Sequence, residues 1–126
     1  CLLAWTDSGA PNSEILYTYF RVLPGPPNDI QWWQFWGDYA VWELPFYADA
    51  NTGVTAAFFN DAYHLAWKRA SFASQVRYVY ADSGGYGGWT GSGSTSYDIY
   101  GASGIVGTPT FMARDGKESA LVWTTH

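Results

Sequence analysis

The stretch that decides the fold is "HLAWKR" at residues 64–69, because its apolar, small and tryptophan pattern occurs twice more in the chain. "LLAWTD" stands at residues 2–7 and "ALVWTT" at residues 120–125. Trp5, Trp67 and Trp123 thus recur at intervals of roughly 60 residues, which is the kind of periodicity that repeat architectures show. We therefore interpret these tryptophans first as repeat markers and expect all three to pack in a core.

The flanks of the tryptophans repeat as well. The first two tryptophans are followed by similar stretches, "ILYTYF" at 15–20 and "VRYVYA" at 76–81. The second and third tryptophans are preceded by similar stretches, "TAAFF" at 55–59 and "TPTFM" at 108–112. Alternation of aromatic and β-branched residues with period two predicts strands. Asn60-Asp61 and Asp115-Gly116 are residue types that favour tight turns between such strands.

Composition supports an all-β chain and excludes several partners. Of the 126 residues, 20% are aromatic and only 13% are charged, and 14 are glycines, a profile typical of strands and turns. With a net charge of −5 and only six lysines and arginines, the chain lacks the cationic surface that nucleic acid requires. Cys1 is the single cysteine, so no internal disulfide or cysteine metal cluster is expected. No apolar run is long enough to predict a membrane span.

Four short strands in each repeat unit are typical of a β-propeller blade. We expect one all-β repeat domain over residues 1–126, with approximate units 1–61 and 62–126, forming about two four-stranded blades plus an extra strand. Two blades cannot close a ring, since propellers usually have four to eight. The ring would be completed by oligomerisation or by a longer parent chain; the alternative architecture is a β-sandwich.

The repeat units resemble the blades of sialidase-like and lectin-type β-propellers. The resemblance covers about two thirds of the chain and rests on a strand, an Asn/Asp turn, an apolar strand ending in Trp and a Tyr-containing strand. The matching residues are Phe58, Asn60, Leu65, Trp67, Val76, Tyr78, Asp82, Gly84, Trp89, Phe111, Asp115, Gly116, Leu121 and Trp123. The resemblance implies a blade architecture that many different functions share.

No catalytic constellation is evident in the sequence. Sialidases use three arginines, a tyrosine nucleophile and an acid, but no spacing marks three of the arginines here as a cluster. Most Asp residues stand in turn-like contexts, where they bond to local backbone. His64 and His126 cannot form a metal site without carboxylates. We therefore expect no catalytic residues, no cofactor and no metal.

A sugar-binding module requires fewer specific residues than an enzyme, namely a flat aromatic face with polar groups beside it. The leading hypothesis is a secreted, non-catalytic, lectin-like protein that binds glycans and forms a homo-oligomer or joins other segments of the same propeller. The alternatives are a segment of a sialidase-like or other glycoside-acting enzyme, and a structural, self-assembling extracellular protein. The candidate ligand-binding residues are Trp32, Trp33, Trp36, Trp42, Arg77, Asp82, Tyr86 and Trp89.

Overall fold

The chain folds as a set of antiparallel β-sheets, as the period-two pattern predicts. The computed structural model describes residues 1–7, 12–32, 34–35, 38–39, 41–50, 52–69, 75–82, 97–99 and 104–125, and these residues contain strands and no helix. The strands are β1 (Leu2–Asp7), β2 (Asn12–Leu23), β3 (Asp29–Trp32), β4 (Gln34–Phe35), β5 (Asp38–Tyr39), β6 (Trp42–Asp49), β7 (Val54–Phe59), β8 (Ala62–Lys68), β9 (Val76–Asp82), β10 (Tyr97–Asp98), β11 (Ile105–Ala113) and β12 (Ser119–Thr125).

The first sheet is built around the twelve-residue strand β2. One edge of β2 pairs with β1, and this ladder continues to Cys1, whose ammonium group donates to the carbonyl oxygen of Phe20 at 2.8 Å. Antiparallel to β2 run β6, opposite residues 12–17, and β3, opposite residues 20–23. Because Phe20 already bonds to Cys1 on one edge, β3 and β6 share the other edge, with the small β4–β5 ladder between them in the chain.

The second sheet is four-stranded and antiparallel, with the strand order β10-β9-β8-β7. A two-residue turn joins β7 to β8, in which Asn60 and Asp61 have φ values of 49° and 56°. Positive φ at both turn residues is the conformation that matches the twist of a tight hairpin. This hairpin joins residues on both sides of the unit boundary predicted at 61–62.

The two sheets share one register, which gives the sequence repeat a structural meaning. In the first sheet Ala4 pairs with Tyr17 and Trp5 with Leu16. In the second sheet Ala66 pairs with Tyr78 and Trp67 with Arg77. Strands β1 and β2 are therefore the structural counterparts of β8 and β9, residue for residue.

Strands β11 and β12 form a separate two-stranded sheet, the terminal hairpin. Its turn is held by the Asp115 carboxylate, which accepts hydrogen bonds from the backbone N–H groups of Lys117 and Glu118 at 2.7 and 2.8 Å. The register shifts between Val106 and Thr110, where Gly107 has a φ of 76° that an L side chain rarely adopts. The bulge turns the hairpin while Phe111 still pairs with Leu121.

The three units pack as layers, with the second sheet in the middle. One core lies between the first and second sheets, where Phe46 stacks on Trp67 with 5.8 Å between ring centroids and Tyr19 contacts Tyr63 at 5.7 Å. A second core lies between the second sheet and the terminal hairpin. Its members are Ala66, Val76, Ile99, Ile105, Phe111, Leu121 and Trp123. Backbone also links these layers, since the Phe111 N–H donates to Thr55 Oγ1 at 3.2 Å.

The three repeat tryptophans differ in burial. Trp67 has an exposed fraction of 0%, which confirms the prediction that it is a core residue. Trp123 is half-buried and packs against the second sheet. Trp5 was expected in the core too, but it is half-buried and lies on the outer face of the first sheet, opposite Leu16. The difference arises because the second sheet and the terminal hairpin direct their tryptophans at a neighbouring layer.

Within the described ranges no helix is long and apolar enough to cross a membrane.

Candidate functional site

An aromatic surface of the described chain lies on the ribbon that β2 and β3 form at residues 20–32. Phe20 pairs with Trp32 and Val22 pairs with Ile30, so these four side chains share one face of the ribbon. The Phe20 and Trp32 rings are 5.2 Å apart between centroids and tilted by 46°. Trp32 is 36% exposed and Ile30 is 48% exposed, large values for apolar side chains in strands.

The opposite face of the ribbon is polar and stabilises its geometry. The Arg21 guanidinium donates a hydrogen bond from Nε to Oε1 of Gln31, which lies directly across the ladder. At the tip, the Asp29 carboxylate accepts a hydrogen bond from the N–H of Ile30 at 2.8 Å. The Arg21–Gln31 contact links the two strands beneath the aromatic face, and the Asp29 contact lies within β3.

Among the described residues β3 pairs with β2 alone, so one edge of the ribbon carries backbone N–H and C=O groups without a ladder partner. Such edges form hydrogen bonds readily with incoming polar groups. The ribbon therefore combines the exposed Trp32 ring with backbone hydrogen-bonding groups at the same place.

Two other predicted ligand-binding residues lie in packing positions. Trp42 is half-buried and stacks on Tyr17, with 5.8 Å between centroids and 22° between planes. The Arg77 guanidinium carbon lies 6.0 Å from the centroid of the Phe46 ring, on the side where the first two sheets meet. The structure does not bring either residue to the ribbon.

The remaining predicted residues are not placed at a site. Asp82 ends β9, with its backbone opposite Ala62. Four further predicted binding residues lie outside the described residues: Trp33, Trp36, Tyr86 and Trp89. The structure thus supports one of the eight candidates, Trp32, as an exposed ring in a defined setting.

The side chain of His64 lies in a buried polar cluster that was not predicted from the sequence. Its Nε2 lies 3.0 Å from the carbonyl oxygen of Phe59 and its Nδ1 lies 2.7 Å from the hydroxyl of Tyr78. A carbonyl can only accept, so Nε2 carries the proton and Nδ1 accepts from Tyr78 in the neutral imidazole. The Phe59 ring stacks on the imidazole at 3.6 Å between centroids.

Burial lowers the pKa of His64 below its ordinary value of 6.5, although its hydrogen bond to the Phe59 carbonyl acts in the opposite direction. The imidazole is therefore neutral near pH 7 and serves as a packing residue with two hydrogen bonds. The repeat could have indicated this role, because His64 lies opposite Tyr80 and diagonal to Tyr78 in the ladder.

No arrangement for catalysis is assembled in the described part of the chain. Its His, Cys, Asp and Glu residues include no group of three or more that could hold a metal ion. Arg21, Arg77 and Arg114 belong to different elements and contact Gln31, Phe46 and Glu118 respectively.

No protein-family model, curated protein or solved structure matches this chain. The function must therefore be argued from the geometry of its own surface.

Proposed function

We propose that this chain is a non-catalytic, lectin-like carbohydrate-binding protein of the propeller-repeat type, secreted from the cell, and that the β2–β3 ribbon is its sugar site. The single observation that carries the proposal is the Phe20–Trp32 ring pair on the β2–β3 ladder, in which Trp32 is exposed and Phe20 is half-buried. An aromatic face contacts the apolar C–H side of a pyranose ring, and polar groups beside it bind the hydroxyls.

The polar contribution comes from the ribbon edge and not from Arg21 or Gln31. Those two side chains bond to each other on the reverse face. A sugar lying across Trp32 would meet the backbone groups along the free edge of β3, except the Ile30 N–H, which already donates to Asp29. These backbone groups can bind hydroxyls without a charged partner. This arrangement suits a neutral sugar, in keeping with the low charge of the chain.

The layer packing supports the propeller-type interpretation over the sandwich. A two-sheet sandwich covers one face of each sheet, whereas the second sheet here packs against a neighbour on both faces. Sheets that are covered on both sides and repeat the same register are the expected arrangement of successive blades. The proposed ring would continue this order beyond the layers described.

A glycan array followed by titration of tryptophan fluorescence tests the sugar site. We expect Trp32→Ala to weaken the best-binding sugar roughly tenfold, the effect of losing about 1.4 kcal/mol of stacking. The matched control is Phe58→Ala, which removes another exposed ring, on β7, that contacts Tyr63. Absence of any sugar response, or equal losses in the two variants, would refute the ribbon as the site.

A further inference from the structure

Each interface between layers joins two different faces, and the faces follow a fixed order. The second sheet directs Trp67 and Leu65 at the first sheet. With its other face, which carries Ala66, it meets the terminal hairpin, and that hairpin presents Trp123 and Leu121. In both interfaces, a face bearing the repeat tryptophan packs against the face of the preceding layer that carries the repeat alanine, Ala4 or Ala66.

This order leaves one face of each kind at the two ends of the stack. On the first sheet, the ladder places Leu3, Trp5 and Leu16 on the outer side together with Tyr47, which lies opposite Glu14. We call this surface the Trp5 face. It is the counterpart of the surface through which the second sheet contacts the first, yet Leu3 is 43% exposed and Trp5 is only half-buried.

The other end of the stack is the outer side of the terminal hairpin. Val122 lies opposite Thr110 and Met112 opposite Ala120, and we call this surface the Val122 face. Val122 is 45% exposed, and Val106 and Met112 are exposed as well. In the repeat, Val122 is the counterpart of Ala66, which a tryptophan-bearing layer covers in the second sheet.

We infer that the Trp5 face of one copy of this chain packs on the Val122 face of a second copy, in a head-to-tail contact that repeats the internal layer order. The occupant is a second copy because the two exposed faces are counterparts of the two faces that already pack together within the chain. A heterologous contact of this kind makes a ring when its rotation closes and a filament when it does not. The contact adjoins the proposed sugar site at Phe20, the counterpart of the covered Ala81. Trp32 and Ile30 lie outside the repeated contact, because they belong to β3, which has no counterpart in the second sheet.

Three carboxylates border the Trp5 face, Asp7 and Glu14 as a ladder pair and Glu43 opposite Leu16. When the copies meet, an added acid on the Val122 face will be desolvated and repelled by these carboxylates, and an added acid at Leu3 will be desolvated. This makes Leu3→Glu and Val122→Glu suitable variants, each of which disables one face and leaves the other intact.

The test is the solution mass of the full chain by size-exclusion chromatography with light scattering, without any sugar. We expect the wild type to show multiples of its 14.0 kDa mass, and each single variant alone to be monomeric. An equimolar mixture of Leu3→Glu and Val122→Glu retains one good face on each chain and should form a mixed dimer. The matched control Ile30→Glu, an equally exposed apolar residue on the ribbon, should keep the wild-type mass.

A monomeric wild type, or a mixture that stays monomeric, overturns the inference. Buried-tryptophan fluorescence identifies any variant that fails to fold, and Tyr47→Glu with Met112→Glu provides a second pair on the same two faces. Because the readout is mass alone, a failure here leaves the sugar site standing, and loss of sugar binding in Trp32→Ala does not affect the mass.

Discussion

The β1–β2 pair and the β8–β9 pair have the same register and nearly the same apolar pattern, yet they have different energetic roles. Trp67 is enclosed by the first sheet, whereas Trp5 faces outward from it. His64 and Tyr78 form a hydrogen-bonded pair, while the corresponding positions in the first sheet hold Leu2 and Tyr17. The comparison shows that strand pairing fixes where a side chain points and that the neighbouring layer decides what its burial contributes.

The largest expected effect is at the repeat tryptophans. Trp67→Ala should lower the free energy of unfolding by about 3–5 kcal/mol, because it opens a cavity between two sheets. Trp5→Ala should cost only about 1 kcal/mol, because the ring is half-buried and is not enclosed between two sheets. Urea denaturation of both variants in the Val122→Glu background, where the Trp5 face stays uncovered, measures the difference.

Trp67→Phe is the informative control for that measurement. The indole Nε1 of Trp67 is buried without a hydrogen-bond partner in the described part of the structure, which is costly for a polar group. Phenylalanine keeps a ring against Phe46 and removes this N–H, so it should cost less than alanine. Equal losses for Trp5→Ala and Trp67→Ala would contradict the proposed difference between the two layers.

The next-largest effect on stability is expected at His64, whose counterpart in the first sheet is Leu2. His64→Leu should lower the free energy of unfolding by about 1–3 kcal/mol, because the Phe59 carbonyl and the Tyr78 hydroxyl both lose this hydrogen bond. Thermal or urea unfolding at pH 8 measures it, and the reverse change, Leu2→His, should have a smaller effect at a half-buried position. A neutral or stabilising His64→Leu would show that the two hydrogen bonds contribute nothing net.

The smallest effect is the pH dependence that His64 confers. Its pKa is lower in the folded chain than its ordinary value of 6.5, so between those two values the unfolded chain binds a proton that the folded chain does not. Stability should therefore be highest above pH 6.5, fall as the pH decreases through that window, and level off below the folded-state pKa. Subtracting the pH profile of His64→Leu isolates this slope, and parallel profiles for the two proteins would refute it.

Much of the strand pattern could be predicted because it depends on local alternation. Tyr17 and Tyr78 were matched by sequence alone, and the ladders place both opposite an alanine of the repeat. The Asn60-Asp61 turn was also predictable, since these residue types tolerate positive φ. In both cases the information lies within a few residues of the chain.

Features that depend on distant partners could not be predicted. The matching stretches at 55–59 and 108–112 align Thr55 with Thr108. In the ladders, however, Thr55 lies opposite Ala66 and Thr110 lies opposite Val122, the repeat counterpart of Ala66. Thr110 is therefore the structural counterpart of Thr55, because the turn of the terminal hairpin is longer than the turn between β7 and β8. Among the aromatic residues between 31 and 44, nothing local distinguishes Trp32, which faces solvent, from Trp42, which packs on Tyr17. The role of His64 depends on Tyr78, fourteen residues away, and the register of the repeat is the one signal that could have indicated it.

The shared edge of β2 has a consequence for how this chain can vary. Because β3 and β6 occupy successive parts of one edge, they act as a single outer strand that is interrupted at residues 33–41. Residues added or removed in that interval would leave both ladders in register, since each is fixed by its own pairing with β2. The interruption is therefore a natural place for evolution to change specificity, or for an engineer to insert a foreign peptide, without altering the core.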